Sequence, residues 1–171
     1  MHIRAEAAER HTLSILVDDE AGILARVAGM FTARGYNIES LTVAHATEDL
    51  SISRITIVTS GSAAMMEQII AQVDRLVPVH SVVDLTARGP HVERELALIK
   101  VAGIGEHRIE ALRLADVYRA RVVDATTSSF VFELTGSSEK VNSFVAMLQD
   151  IGLVEIARTG VVALARGREA A

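Results

Sequence analysis

From His11 the chain alternates. Leu13, Ile15 and Val17 are apolar while Thr12 and Ser14 are polar, the period of a strand with one buried face. The polar run Asp18-Asp19-Glu20-Ala21-Gly22 breaks that pattern. Ile23, Leu24, Val27, Met30 and Phe31 then recur at helical spacing, and Gly35 is placed to end the helix in the left-handed conformation. Residues 37–46 predict a second strand and 51–59 a third, with a turn at Glu48-Asp49. Met66, Ile69, Ile70, Val73 and Val77 form one helical stripe that Pro78 closes, and 79–86 return to strand pattern. The order is βαββαβ.

Arg88-Gly89-Pro90 is the sharpest break in the chain, and beyond it the pattern starts again. Residues 94–102 predict a strand that Gly103 and Gly105 end. A helix follows over 106–119 with Ile109, Leu112 and Ala115 on one face, then strands at 121–127 and 129–135. Val141, Phe144, Val145 and Leu148 mark a second helix, with strands at 153–158 and 161–165. Gly61-Ser62 and Gly136-Ser137-Ser138 have the composition of strand-to-helix turns with Ser caps. The expected fold is α+β: two tandem ferredoxin-like βαββαβ domains, at 11–87 and 91–167, each an antiparallel four-stranded sheet with two helices on one face. Units of this size are marginal alone and have open sheet edges, so a homodimer is expected. Met1 to Arg10 is polar, without the apolar segment of a secretory signal, and is expected to be a frayed leader; a loose tail is expected over 166–171.

Composition narrows the chemistry. Aromatics are 4% and Trp is absent, so the core must be built from Val, Ile, Leu and Ala. Before the break at Gly89 there are 7 basic and 11 acidic residues, and after it 10 and 11, giving −4 and −1. Neither half carries the positive charge of a nucleic-acid binder. There is no Cys, which removes disulfides, thiolate metal sites and a Cys nucleophile and fits a cytoplasmic protein. No apolar run approaches the roughly 20 residues of a membrane span.

Two segments are candidates for ligand chemistry. In the turn Asp18 to Leu24, the free N–H groups of a helix N-terminus can meet a carboxylate. Gly22 allows close approach there, and Asp19 can cap the helix or take an ammonium group. An ordinary acidic N-cap followed by a turn glycine has the same pattern. In Gly35-Tyr36-Asn37-Ile38, Asn37 opens the second strand and both donates and accepts, which suits a zwitterion; a loop Asn that tolerates the left-handed region reads the same way.

Together these segments resemble a known family. Asp19-x-x-Gly22-x-Leu24 resembles the ligand loop of ACT domains, which bind amino acids. The run Arg34-Gly35-Tyr36-Asn37-Ile38-Glu39-Ser40-Leu41-Thr42-Val43 is similar to the signature of the regulatory subunits of acetohydroxyacid synthase, also called acetolactate synthase. Ser53-Arg54-Ile55-Thr56-Ile57 resembles their third strand, His91-Val92-Glu93-Arg94-Glu95-Leu96 their inter-domain segment, and Arg158-Thr159-Gly160-Val161 their closing strand. The resemblance runs from about His11 to Gly167. It implies a non-catalytic homodimer with paired N-terminal ACT domains that enhances a catalytic large subunit and confers feedback inhibition in branched-chain amino-acid biosynthesis. Valine, or a related branched-chain amino acid, would sit between the two copies. Backbone N–H groups near Gly22 and Ile23 would hold its carboxylate, Asn37 and Ile38 of the other copy would help hold its ammonium group, and Asp19 and Leu24 complete the effector-binding set. One common form of the family has Asn where this chain has Asp19, which remains a good ammonium partner. Thiamine diphosphate, FAD and Mg would belong to the catalytic subunit, and none to this chain.

Other signals point elsewhere only weakly. The six histidines form no His-Glu-x-x-His array and no i, i+4 pair on a helix, so no metal site is expected. Gly103-Ile104-Gly105 lacks the third glycine of a dinucleotide fingerprint and reads as a turn. Phe130 and Phe132 share a strand face as base-stacking aromatics do, but without basic neighbours they read as core. A free-standing acylphosphatase-like enzyme would need an Arg and an Asn at the first turn, where this chain is acidic.

Overall fold

The computed structural model describes residues 8–168. The remainder of the predicted leader and tail, 1–7 and 169–171, lies outside the described residues. The chain divides into two compact units, one running up to Val92 and including the residues from Val161 on, the other Glu93–Gly160.

The first unit follows the predicted order: β1 (Glu9–Asp18), α1 (Ile23–Ala33), β2 (Ser40–His45), β3 (Ile52–Gly61), α2 (Ala63–Val73) and β4 (Val79–Asp84). Its antiparallel sheet has the order β2-β3-β1-β4, so β2 and β4 are its edges. Leu13, Ile15 and Val17 of β1 and Ile55 and Ile57 of β3 are fully buried against Val27 and Phe31 of α1 and Ile69 and Val73 of α2. α1 ends as its sequence requires: Gly35 takes φ +69, and the N–H groups of Arg34 and Tyr36 both donate to the Phe31 carbonyl. Ser62 caps α2 by accepting from the Met65 N–H.

Four expectations in this unit need correction. Glu9 and Arg10, read as leader, belong to β1, where they pair with Gly61 and Ser60. The second strand starts at Ser40 rather than 37, so Asn37 precedes it instead of opening it. Val77 does not extend the α2 stripe: the helix ends at Val73 and Val77 is 81% exposed, because the residue before a proline is pushed out of the helical region. The fourth strand stops at Asp84, whose carboxylate accepts from the N–H groups of Thr86 and Ala87 and turns the chain into a short helix, α3 (Leu85–Arg88). The same carboxylate pairs with the buried His11 ring at 2.7 Å. Asp84→Ala would strand two backbone donors and that ring, at about 3 kcal/mol. Urea unfolding followed by circular dichroism checks this; a loss under about 1 kcal/mol would mean the pair is not held in solution.

The second unit repeats the plan with β5 (His91–Ala102), α4 (Glu106–Tyr118), β6 (Arg121–Ala125), β7 (Ser129–Gly136), α5 (Ser138–Gly152) and β8 (Leu153–Arg158), in the sheet order β6-β7-β5-β8. The final strand, β9 (Val162–Ala165), falls within the first unit and pairs with β5, whose first residues His91 and Val92 belong to that unit too. Phe130 and Phe132 lie in the core, ring centroids 5.5 Å apart, so neither ring offers an open face for stacking a base. Ser137 caps α5 through the Lys140 N–H. Of the three residues expected on the packed face of α4, Ala115 is buried, together with Ala111 and Leu114, while Ile109 and Leu112 are 53% and 41% exposed. The Ile109–Leu112 stripe runs into Asp116, whereas 111, 114 and 115 continue to the half-buried Tyr118, and the two alanines let the helix lie close to the sheet. Among the described residues no helix is long and apolar enough to cross a membrane.

Candidate functional site

The turn between β1 and α1 is built to leave backbone donors open. Gly22 is the N-cap of α1 at φ +87, a conformation glycine adopts at little cost, and no side chain caps the helix. The Ile23 N–H donates to the Glu20 carbonyl at 3.3 Å, but those of Gly22, Leu24 and Ala25 meet no acceptor among the described residues. A Cβ built on Gly22 meets nothing within 4 Å, so the space in front of these donors is open. Ile23 is buried and anchors the turn to the core, while Leu24 is 40% exposed beside it.

Asp19 does not cap the helix, contrary to one sequence reading. Its N–H donates to the Ser51 carbonyl (2.9 Å), one carboxylate oxygen accepts from the Ser53 hydroxyl (3.0 Å), and the other lies 3.8 Å from His45 Nδ1. The carboxylate is half-exposed and keeps lone pairs available. Further ties hold the turn. Asp18 pairs with His80 at 2.6 Å and its N–H donates to the Pro78 carbonyl. Arg26 reaches from α1 to the Val77 carbonyl (2.7 Å) and to Glu20. Sequence reasoning missed Arg26, His45, Ser53 and His80. His45 and Ser53 are direct partners in the β2–β3 ladder, so their approach to Asp19 follows from sheet register, which no local motif encodes.

The second candidate segment is fixed differently. Tyr36 packs edge-on against Phe31 with ring centroids 6.2 Å apart, and its hydroxyl donates to Gln68 of α2. The Asn37 carbonyl accepts from the Thr59 hydroxyl at 2.6 Å, and Ile38 packs against the core. The backbone is therefore held while the Asn37 side chain stands exposed with no partner among the described residues. The structure does not bring Asn37 to the β1–α1 turn of the same chain. Asn37 precedes the first residue of β2, and the turn meets His45, its last; the six residues of β2 span roughly 20 Å.

The comparisons identify the family. A model described as the AHAS small subunit-like ACT domain matches residues 13–81, and one for the small subunit of acetolactate synthase matches 94–167. A probable acetolactate synthase small subunit of Archaeoglobus fulgidus is 44% identical over 160 residues, covering 94% of this chain and 99% of that one. The chain belongs to the acetolactate synthase small-subunit family. Another member, the isozyme 3 small subunit of Salmonella typhimurium, is 45% identical over 92% of this chain and 96% of its own length. The crystal structure of the acetolactate synthase small subunit from Thermotoga maritima superposes with a TM-score of 0.83 at 36% identity, covering 94% of this chain and 99% of that one. This small-subunit chain carries two tandem ferredoxin-like domains, the first of ACT type. The two candidate segments, Asp19–Leu24 and Asn37–Ile38, both fall within its ACT domain.

Proposed function

We propose that the chain is the non-catalytic regulatory subunit of an acetolactate synthase and that it binds valine between two copies of its ACT domain. The observation that carries the reading is the position of the two candidate segments at opposite ends of β2. β2 is an edge strand, open to a second copy. Antiparallel pairing of two β2 edges about a two-fold axis lays the start of one strand beside the end of the other. Asn37 of one copy then faces the β1–α1 turn of the other, twice per dimer.

In that arrangement the valine carboxylate accepts from the N–H groups of Gly22, Leu24 and Ala25 at the positive end of the α1 dipole. The ammonium group meets the Asp19 carboxylate and the Asn37 amide oxygen of the second copy. Leu24 and Ile38 offer apolar surface to the isopropyl group. Valine held between two chains stabilises one dimer arrangement over another, and that difference, typically about 1–3 kcal/mol, is what it transmits to the enzyme. The catalytic large subunit holds the thiamine diphosphate, FAD and Mg and performs the reaction; this chain raises its activity and confers valine inhibition on it.

Asn37→Ala tests the site with little risk to the fold, because the side chain is exposed and only the backbone carbonyl is engaged. Calorimetric titration with valine, against leucine, isoleucine and alanine, is expected to show about a ten-fold weaker affinity for the variant, the loss of one hydrogen bond to a charged group. Unchanged affinity would remove Asn37 from the site.

A further inference from the structure

Away from the β1–α1 turn, the first unit has a cleft of about 310 Å³ between the α3–β5 connection and the residues that follow β9. Three arginines line it, Arg88, Arg166 and Arg168. The whole chain carries a net charge of −5, so this convergence does not reflect a generally basic surface. All three side chains are exposed, and Arg166 and Arg168 have no side-chain partner among the described residues. Arg88 is already engaged, whereas Arg166 and Arg168 bring two like charges to one recess, which repel unless an anion joins them. The backbone is accessible as well. Gly89 and Gly167 line the same cleft in positive-φ conformations, and a Cβ built on either meets nothing within 4 Å. Leu85, Pro90 and Ala165 supply an apolar wall.

We propose that this cleft binds a small molecule carrying a phosphate or pyrophosphate group. A guanidinium offers planar pairs of N–H donors that match phosphate oxygens. A phosphate monoester brings close to two negative charges and three acceptor oxygens, enough to engage several guanidinium groups, whereas a single carboxylate brings one charge and two oxygens. The volume stands at the lower end of small-molecule sites, room for a phosphate and a short carbon portion lying on Leu85 and Pro90.

Such a ligand has a structural consequence within the first unit. It ties residues 166–168 to the α3–β5 connection, next to the existing hydrogen bond from the Arg166 N–H to the Pro90 carbonyl. The same C-terminal segment is fastened at its other end to β2: the Val161 N–H donates to the Ser40 hydroxyl, and the Thr42 hydroxyl donates to the Val161 carbonyl. An anion in the cleft therefore holds a segment that lies on the strand bearing the open edge.

The test uses inorganic pyrophosphate titrated calorimetrically into the full chain, with ionic strength held constant so that general screening does not change. Saturable binding near one site per chain is expected, together with a rise in the thermal unfolding midpoint. The double variant R166A/R168A is expected to weaken binding at least about ten-fold and to lose the thermal shift, while R113A on α4 leaves both unchanged. R168Q alone, at an exposed position, should weaken binding about three-fold and serves if the double variant does not fold. Absence of saturable heat, or equal affinity in wild type and the arginine variants, would overturn the proposal and leave the arginines as a solvated rim.

Discussion

Gly22→Asp is expected to abolish the valine response: at least about a 100-fold loss of valine affinity in the isolated chain, and no valine inhibition in the reconstituted synthase. The new carboxylate occupies the open space in front of the α1 N-terminus, where the ligand carboxylate is proposed to lie. Two like charges about 4 Å apart near a protein surface repel by roughly 4 kcal/mol, more than the loss asks for. The fold should tolerate the change. No atom lies within 4 Å of the added Cβ, Asp is among the few residues that visit the left-handed region, and an acid at a helix N-terminus interacts favourably with the dipole. Gly22→Ala separates the causes, since it carries the backbone strain without the charge and should weaken valine much less. Persistent inhibition in the Asp variant would place the effector elsewhere.

The second large effect lies in the other unit. Phe132 is fully buried on β7 between Phe130 and Phe144, with ring centroids 5.5 and 6.0 Å away. Phe132→Ala should cost about 3–5 kcal/mol, the lost transfer energy plus the cavity left behind. The second unit has its own core, so the loss should appear in urea as an earlier unfolding transition of that unit. The proposed effector residues all belong to the first unit, so valine affinity under native conditions should stay within about two-fold of wild type. A variant that unfolds normally but has lost valine binding would mean that the second unit takes part in the site.

The order of elements was legible because the apolar period changes cleanly between two and 3.6. Leu13, Ile15 and Val17 announce a strand, and Val27 with Phe31 a helix, before any contact is known. Faces and ends were less legible where two patterns compete. On α4 two apolar stripes overlap at Ala115, and the one that packs runs through Ala111 and Leu114 rather than Ile109 and Leu112. Around the candidate site, Gly22 could be read locally because its role is a backbone conformation. Asp19 could not: its partners Ser53 and His45 come from other strands and arrive by register, which turns an apparent helix cap into a tie between the turn and the sheet. The residues around Asn37 alone do not encode its separation from the turn, which depends on which edge β2 occupies; only the family resemblance set it against the other copy.

The central claim is that each effector site takes its turn from one copy and its Asn37 from the other, and a mixing experiment tests it most directly. Chains carrying Gly22→Asp and chains carrying Asn37→Ala are each expected to bind valine poorly. Unfolded together in equal amounts and refolded, they pair at random, and half the dimers contain one chain of each kind. Each mixed dimer has one doubly altered site and one with an intact turn and an intact Asn37. Titration is therefore predicted to recover wild-type valine affinity at about a quarter of all sites. If mixing restores nothing while wild-type chains treated in the same way recover full binding, both residues act within a single chain or neither contacts valine, and the interface account is contradicted.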